Sequence, residues 1–243
     1  MLKSLTAIYL KDFASYFRSR IAYAVLFIYL VLSMILNFYT AGYFELLNDN
    51  MQSFFFYQPE LLLLFIPALA VKVWTDERRY GTLEILLTNS LSYKAVVIGK
   101  FLALWSFCGI MLVATFPLWL TTNILLPADN INIFFSYMSL LLAAGVLCAV
   151  SCAVSSAVSG AATSYILSLF VCAVIKLVNF DYIFRLLNIP TELALKISHS
   201  LNFDYQYLNL IQGQAGLAEF IYFAGLITAA LWFNVVMVEY KRG

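Results

Sequence analysis

The four cysteines are the first residues whose type could bind a metal or form a disulfide, and all lie within apolar stretches. Cys148 and Cys152 are four residues apart, a spacing that puts two thiols on one face of a helix. A metal site needs further ligands such as histidine or carboxylate, and none lies near this pair in the sequence. We therefore expect the cysteines to pack as small hydrophobic side chains.

The motifs of common enzymes are also missing from the sequence. The only histidine, His199, has no adjacent nucleophile, and we expect it at the surface. The chain contains neither an HExxH pair nor a GxSxG elbow. Gly99-Lys100 does not form a Walker A loop, because Phe101 follows the lysine and Lys94 stands where the first glycine should be. We predict that the chain is not an enzyme and binds no cofactor itself, so active transport would need another subunit to supply the energy.

Two ionisable residues lie within apolar stretches, Glu60 and Lys176. Both fall near the predicted outer ends of their helices. Ionisable groups at membrane depth are costly and often functional, so the two residues could pair with each other or contact a substrate. The alternative, which we favour from sequence alone, is that both are interfacial and solvated.

A charged segment between two apolar stretches has the most specific pattern in the chain. It runs from Thr75 to Thr88, and its candidate functional residues are Asp76, Glu77, Arg78, Arg79, Gly81, Thr82, Leu83, Glu84, Leu86 and Leu87. The glycine can end one helix, and the threonine can cap a short new helix with an acidic residue in its first turn. The three leucines form one apolar face. Such a helix can rest on the membrane surface or insert into the groove of a partner.

The composition decides the class of protein that must position these residues. The chain has 243 residues, of which 63% are hydrophobic and only 11% charged, whereas soluble domains have roughly 25% charged residues. Lys and Arg number 14 against 13 Asp and Glu, so no basic excess favours nucleic acid. The continuous apolar stretches argue against a membrane barrel, whose strands alternate. The sequence predicts an all-α polytopic membrane protein in contact with lipid, with residues 1–243 as one domain.

Charged residues divide the chain into six predicted spans. The stretch 130–175 carries no charge over 46 residues, and one helix of that length would measure ~70 Å against a hydrocarbon core of ~30 Å. It must form two spans, with a turn in the small and polar run 155–164. Residues 53–74 contain Pro59, Glu60, Pro67 and Lys72. They can form a span only if Glu60 lies near one interface and Lys72 snorkels to the other. The predicted spans are 21–44, 53–74, 96–122, 132–155, 162–178 and 217–238.

The distribution of basic residues predicts the orientation. With both termini in the cytoplasm, eleven of the fourteen basic residues lie inside and only Lys176, Arg185 and Lys196 lie outside, as the positive-inside rule requires. The first twenty residues are too polar for a signal peptide. Their apolar residues recur at helical spacing, which predicts an amphipathic helix on the cytoplasmic surface rather than a disordered basic tail.

The segment 76–88, followed by Gly99-Lys100-Phe101, resembles the signature of type-2 ABC-exporter permeases. The resemblance is closest to the gliding-motility-associated branch, in which the second helix often has a Pro-containing apolar run like residues 64–68 here. The length and the six spans also fit, so the resemblance covers nearly the whole chain. Departures lie in residues 126–129, where the family often has a glycine-containing turn, and around Gly160-Ala161, where it often has an Asn-Gln pair.

The resemblance implies a division of labour between subunits. Residues 75–92 would contain a coupling helix seated in a cleft of a separate ATP-binding-cassette ATPase, which would bind ATP and Mg²⁺. Two permeases, either two copies of this chain or this chain with a homologous permease, would join two ATPases in a bacterial inner membrane. Residues 1–20 would be the family's elbow helix, and residues 179–216 would form short re-entrant or surface helices outside.

Two other functions compete with a transporter subunit. A membrane-embedded enzyme is disfavoured because the spans contain no catalytic set. A structural or channel subunit without ATPase coupling is disfavoured only by the resemblance of the charged segment. The sequence does not identify a substrate.

Overall fold

A computed structural model describes residues 2–40, 51–79, 81, 92–125, 127–178, 198–214 and 216–240. The described part is nearly all helical and contains no strand. We name its main α-helices as follows: α1 Leu2–Phe17, α2 Arg20–Ile35, α3 Gln52–Ala70, α4 Lys72–Arg79, α5 Tyr93–Val113, α6 Phe116–Leu125, α7 Asn130–Ala157, α8 Ala161–Leu177, α9 Phe203–Ile211 and α10 Leu217–Tyr240. The backbone continues from α2 as a π-helical turn over Leu36–Thr40.

The all-α polytopic fold is confirmed. In the part of the chain that the structure describes, five helical segments are long and apolar enough to cross a membrane by length and composition, and α8 is a shorter apolar helix. The predicted turn between the fourth and fifth spans is present, because α7 ends at Ala157 and α8 begins at Ala161 with Gly160 as its N-cap. The α7 helix begins two residues earlier than predicted, with Asp129 as its N-cap, whose side chain accepts a hydrogen bond from the Asn132 amide.

Two predicted spans are each a single long helical segment with a local irregularity inside it. The span 53–74 divides at Val71 into α3 and α4, and α4 extends five residues past the predicted end. The span 96–122 divides at Ala114 and Thr115 into α5 and α6. Pro117 is the second residue of α6, where a proline is tolerated because first-turn amides have no partner within the helix. The Thr115 hydroxyl donates to the Leu112 carbonyl at 2.7 Å at this break.

The predicted N-terminal helix exists, but it packs against another helix. Ile8 and Tyr16 of α1 are buried against α5. A Cβ added to Gly99 would lie 3.1 Å from the Ile8 side chain, so the glycine allows the two helices to approach closely. Tyr16 stacks on Phe107 with 5.1 Å between ring centroids. The apolar face of α1 is therefore satisfied by protein, while its other face stays open.

The centre of the bundle is α7, which contacts α3, α5, α8, α9 and α10. Its middle is built from small residues, among them Ala143, Ala144, Gly145 and Ala149, all of which are buried. A Cβ on Gly145 would stand 3.1 Å from Ile227 and 3.2 Å from the Trp105 indole nitrogen. Small residues at this position let helices approach closely, as is usual in membrane bundles.

A proline in α3 is compensated by a hydroxyl from α9. Pro59 has no amide hydrogen, so the carbonyl of Phe55, four residues earlier, loses its helical partner. The buried Tyr207 hydroxyl donates to this carbonyl at 2.8 Å. The neighbouring Gln58 is also buried, and its side-chain oxygen accepts from the Tyr29 hydroxyl at 2.6 Å. These bonds tie α2, α3 and α9 together at one end of the bundle.

Candidate functional site

The residues predicted to form the loop site divide into a described and an undescribed part. Asp76, Glu77 and Arg78 lie on α4, and Arg79 is its last residue. Gly81 has a φ of +66°, a left-handed conformation that favours glycine and ends the helix as predicted. The proposed coupling residues Thr82, Leu83, Glu84, Leu86 and Leu87 lie outside the described residues. The structure therefore shows how the helix leading into the loop is held.

A buried charge cluster holds α4 against α1 and α5. The Lys100 ammonium lies 2.9 Å from Glu77 Oε1 and 3.2 Å from Asp12 Oδ2, and it donates to the Val73 carbonyl at 2.8 Å. The Lys100 side chain is 3% exposed, that of Glu77 9% and that of Asp12 18%. A buried charge requires partners, and here α1 and α4 provide them for a lysine on α5. The ammonium also lies 5.1 Å from the centre of the Trp74 ring, within range of a cation–π interaction.

Arg78 connects α4 to the end of the central helix. Its guanidinium donates to the carbonyls of Ser156 and Val158, which lie at the C-terminus of α7. The last carbonyls of a helix have no partner within it, and the helix dipole places partial negative charge there. A guanidinium at this position donates hydrogen bonds to the unpaired carbonyls and places positive charge next to the negative end of the dipole. Consecutive residues of α4 thus bind α5 through Glu77 and α7 through Arg78.

A cavity lies beside this cluster, between α1, α4 and α5. Its volume is about 410 Å³, and its lining is strongly charged: Lys11, Asp12, Ser15, Tyr16, Arg18, Lys72, Val73, Asp76, Glu77 and Lys100. The Lys72 ammonium, which we expected to snorkel to an interface, donates to the Ser19 hydroxyl at the junction of α1 and α2. We call the part of the bundle where residues 18–20, 72–79, 92–94 and 157–161 meet the basic end.

Glu60 and Lys176 come together at the opposite end of the bundle. The Lys176 ammonium lies 2.6 Å from Glu60 Oε1 and 3.0 Å from Asp204 Oδ1. The expectation that both groups are solvated is wrong for Lys176, whose side chain is 4% exposed, whereas Glu60 is 50% exposed. The lysine is buried because α8 packs against α3 and α9 at this end, and each of these helices supplies a carboxylate. Whether the pair contacts a substrate stays a prediction.

The cysteines are buried, as expected of packing residues, and the histidine lies at the surface, as predicted. All four cysteines are buried free thiols, and the Sγ atoms of Cys108 and Cys148 lie 3.5 Å apart. Among the described residues, no group of three or more His, Cys, Asp or Glu side chains could hold a metal ion. The exposed His199 stacks on Tyr205, with 4.2 Å between ring centroids.

Sequence reasoning missed Lys100, Asp12 and Asp204 as members of charge clusters. From sequence alone, Lys100 counts as a basic residue for orientation and as part of the Gly99-Lys100-Phe101 motif, but not as the centre of an ionic cluster. Its position offered a signal, since it stands at the edge of an uncharged stretch of 28 residues, where a helix usually continues into the membrane. Asp12 gave a similar signal, because it is the one acidic residue in the first 44 and lies on the apolar side of α1.

Taken together, the helices and the charge clusters define a polytopic all-α membrane protein with one densely charged end. Comparison with known protein families matches residues 6–237 to the ABC-2 family transporter protein family. The chain belongs to this family, and it is a membrane permease component of an ABC transporter rather than the ATPase subunit. The match does not support the gliding-motility-associated branch. No curated protein is similar enough to this chain to count as a match.

Proposed function

We propose that the chain is the permease of an ATP-driven exporter and that the loop 75–92 couples it to a separate ATP-binding-cassette ATPase. Family membership supports a partner of this type, because ABC-2 permeases typically work with such an ATPase. ATP and Mg²⁺ would bind to that partner, and a second copy of this chain or a homologous permease would complete the transporter. The basic end would face the cytoplasm of a bacterial cell, in its inner membrane.

The observation that carries the coupling proposal is the attachment of α4. A loop can transmit the movement of an ATPase only if its stem is fixed to the helices that must move. Glu77 fixes α4 to Lys100 on α5, and Arg78 fixes it to the last carbonyls of α7. Displacement of the loop would therefore reach the central helix of the bundle directly.

Alanine substitutions on the apolar face of the loop test the coupling role. Hydrophobic side chains that anchor a helix in a partner's pocket can each cost ~2 kcal/mol or more when truncated. We expect Leu83→Ala with Leu87→Ala to abolish copurification of the ATPase from detergent extracts and to remove transport-linked ATP hydrolysis. Expression and membrane insertion should stay normal, because no span is changed.

Two exposed apolar residues at the other end of the bundle, Ile124 and Leu125, offer a matched control. Their double alanine variant should retain the ATPase. If the loop variant also retains the ATPase, the segment only rests on lipid and the coupling role is rejected. A structural or channel subunit without ATPase coupling would then be the better description.

The orientation has its own test. Reporter fusions at Gly243 and near Asn130 should report the cytoplasm and the outside, respectively, because Asn130 begins α7 at the end away from the basic residues. Two fusions that report the same side would contradict both the span count and the placement of the loop beside a cytoplasmic ATPase.

A further inference from the structure

The charged cavity at the basic end has more ionic groups than its internal pairs use. It is lined by four cations and three carboxylates. Lys11 and Lys100 both lie within 4 Å of Glu77 and of Asp12, so these four groups neutralise one another.

The groups left over are Arg18, Lys72 and Asp76. Among the residues that the structure describes, the side chains of Arg18 and Asp76 have no polar partner. Lys72 donates one hydrogen bond, to Ser19, and an ammonium has three donors. The cavity therefore presents two available cations and one available carboxylate, a combination of charges that complements a phosphate joined to an amine.

The position of the cavity points to a lipid as the source of that phosphate. The exposed apolar residues Phe17 and Ile21 flank Arg18 at 41% and 54% exposure. The span that begins at Arg20 is only 28% buried by the rest of the chain, so its surface is available to lipid from its first turn. Basic pockets between helices at the membrane interface are typical sites for lipid headgroups. A volume of about 410 Å³ also lies within the roughly 300–1,000 Å³ of small-molecule sites.

We propose that this cavity binds the headgroup of an amine-bearing phospholipid, with the phosphate on Arg18 and Lys72 and the ammonium on Asp76. The bound lipid would fill the angle between the elbow helix α1 and the stem helix α4. It would therefore contact both helices next to the charge cluster of Lys100. This site is independent of the coupling proposal, because it needs only the permease chain and the membrane.

Native mass spectrometry of the purified, delipidated full-length chain tests the site. Phosphatidylethanolamine and phosphatidylglycerol of identical acyl chains would be titrated separately. We expect the ethanolamine lipid to bind more tightly, and Arg18→Gln and Lys72→Gln each to weaken its binding about fivefold. Asp76→Asn should remove the preference for the amine and leave the glycerol lipid bound as well or better. Lys94→Gln is the matched control, since it removes an exposed cation at the same end that does not line the cavity, and it should bind like the wild type.

Arg18→Lys keeps the charge and should retain binding, so it separates loss of the contact from loss of the fold. Equal binding of the two lipids by the wild type would overturn the assignment of Asp76. Unchanged binding in the Arg18 and Lys72 variants would overturn the site. A final titration uses phosphoethanolamine, which has no acyl chains. If it binds as tightly as the lipid, the ligand is a soluble phosphate and the lipid assignment fails.

Discussion

Replacement of Lys100 by methionine tests whether the buried charge cluster holds α1, α4 and α5 together. Methionine is close to lysine in length and apolar, so it can fill the same space without the charge. The change removes the ammonium from between Glu77 and Asp12 and also removes its bond to the Val73 carbonyl. It leaves the carboxylates of Glu77 and Asp12, which are 9% and 18% exposed, without their shared partner.

The expected cost follows from the burial of these groups. Removing one partner of a buried ion pair typically costs 3–5 kcal/mol, because the other charge stays buried without compensation. Lys11 reduces the cost here, since it lies 3.4 Å from Glu77 and, at 63% exposure, can move. The partial exposure of Asp12 reduces it further. We therefore expect the lower end of the range, about 3 kcal/mol.

The assay is unfolding of the purified chain by sodium dodecyl sulfate in mixed micelles, followed by circular dichroism. A double-mutant cycle with Glu77→Gln isolates the interaction. Because the glutamine variant removes the charge that methionine leaves unpaired, the double variant should cost at least ~1.5 kcal/mol less than the sum of the two single variants.

Lys94→Met provides the control, since this exposed lysine lies on the same helix and its loss should change stability by less than ~0.5 kcal/mol. The reasoning is refuted if Lys100→Met costs no more than this control, or if its cost and that of Glu77→Gln are additive. Either result would mean that the lysine is solvated or that the cluster does not hold the helices.

Two further predictions concern the opposite end of the bundle. Lys176→Met and Glu60→Gln should each lower transport activity, and the lysine change should be the more severe because it leaves two carboxylates unpaired. The double variant should lose less activity than the sum of the two single variants. Additive losses in a transport assay would show that the two groups act separately. Tyr207→Phe should lower the free energy of unfolding by about 1–2 kcal/mol, since it leaves the Phe55 carbonyl unsatisfied. In a Pro59→Ala background, which restores the helical amide, the tyrosine change should cost much less, and an equal cost in both backgrounds would refute the compensation.

The spans were predictable because charged residues and apolar length decide where helices cross a membrane. The turn near Gly160 could be found for the same reason, since one helix cannot cover 46 uncharged residues. The irregularities at Val71 and Thr115 within two of these spans could not be predicted in the same way. Hydropathy does not change at these positions, so it gives no sign of them. A proline in an apolar run can either kink a helix or end it, and the outcome depends on which neighbours satisfy the freed carbonyls.

The candidate site was less predictable than the spans, because its contacts join distant parts of the chain. Lys100 meets a partner 23 residues earlier on α4 and another 88 residues earlier on α1. Sequence alone placed these charges on one side of the membrane without showing that their helices converge. Likewise, Glu60 and Lys176 could be assigned to the same end, but their contact depends on how α3, α8 and α9 pack.

The bond between Tyr207 and the Phe55 carbonyl has a consequence for biosynthesis. The two residues are 152 positions apart, and at ~5–20 residues per second the ribosome needs roughly 8–30 s to synthesise the intervening chain. During that time α3 has already emerged with a carbonyl that its own helix cannot satisfy. A nascent chain that stops before α9 would carry this group without its final partner. The order of translation therefore makes α3 one of the last helices to reach its finished state.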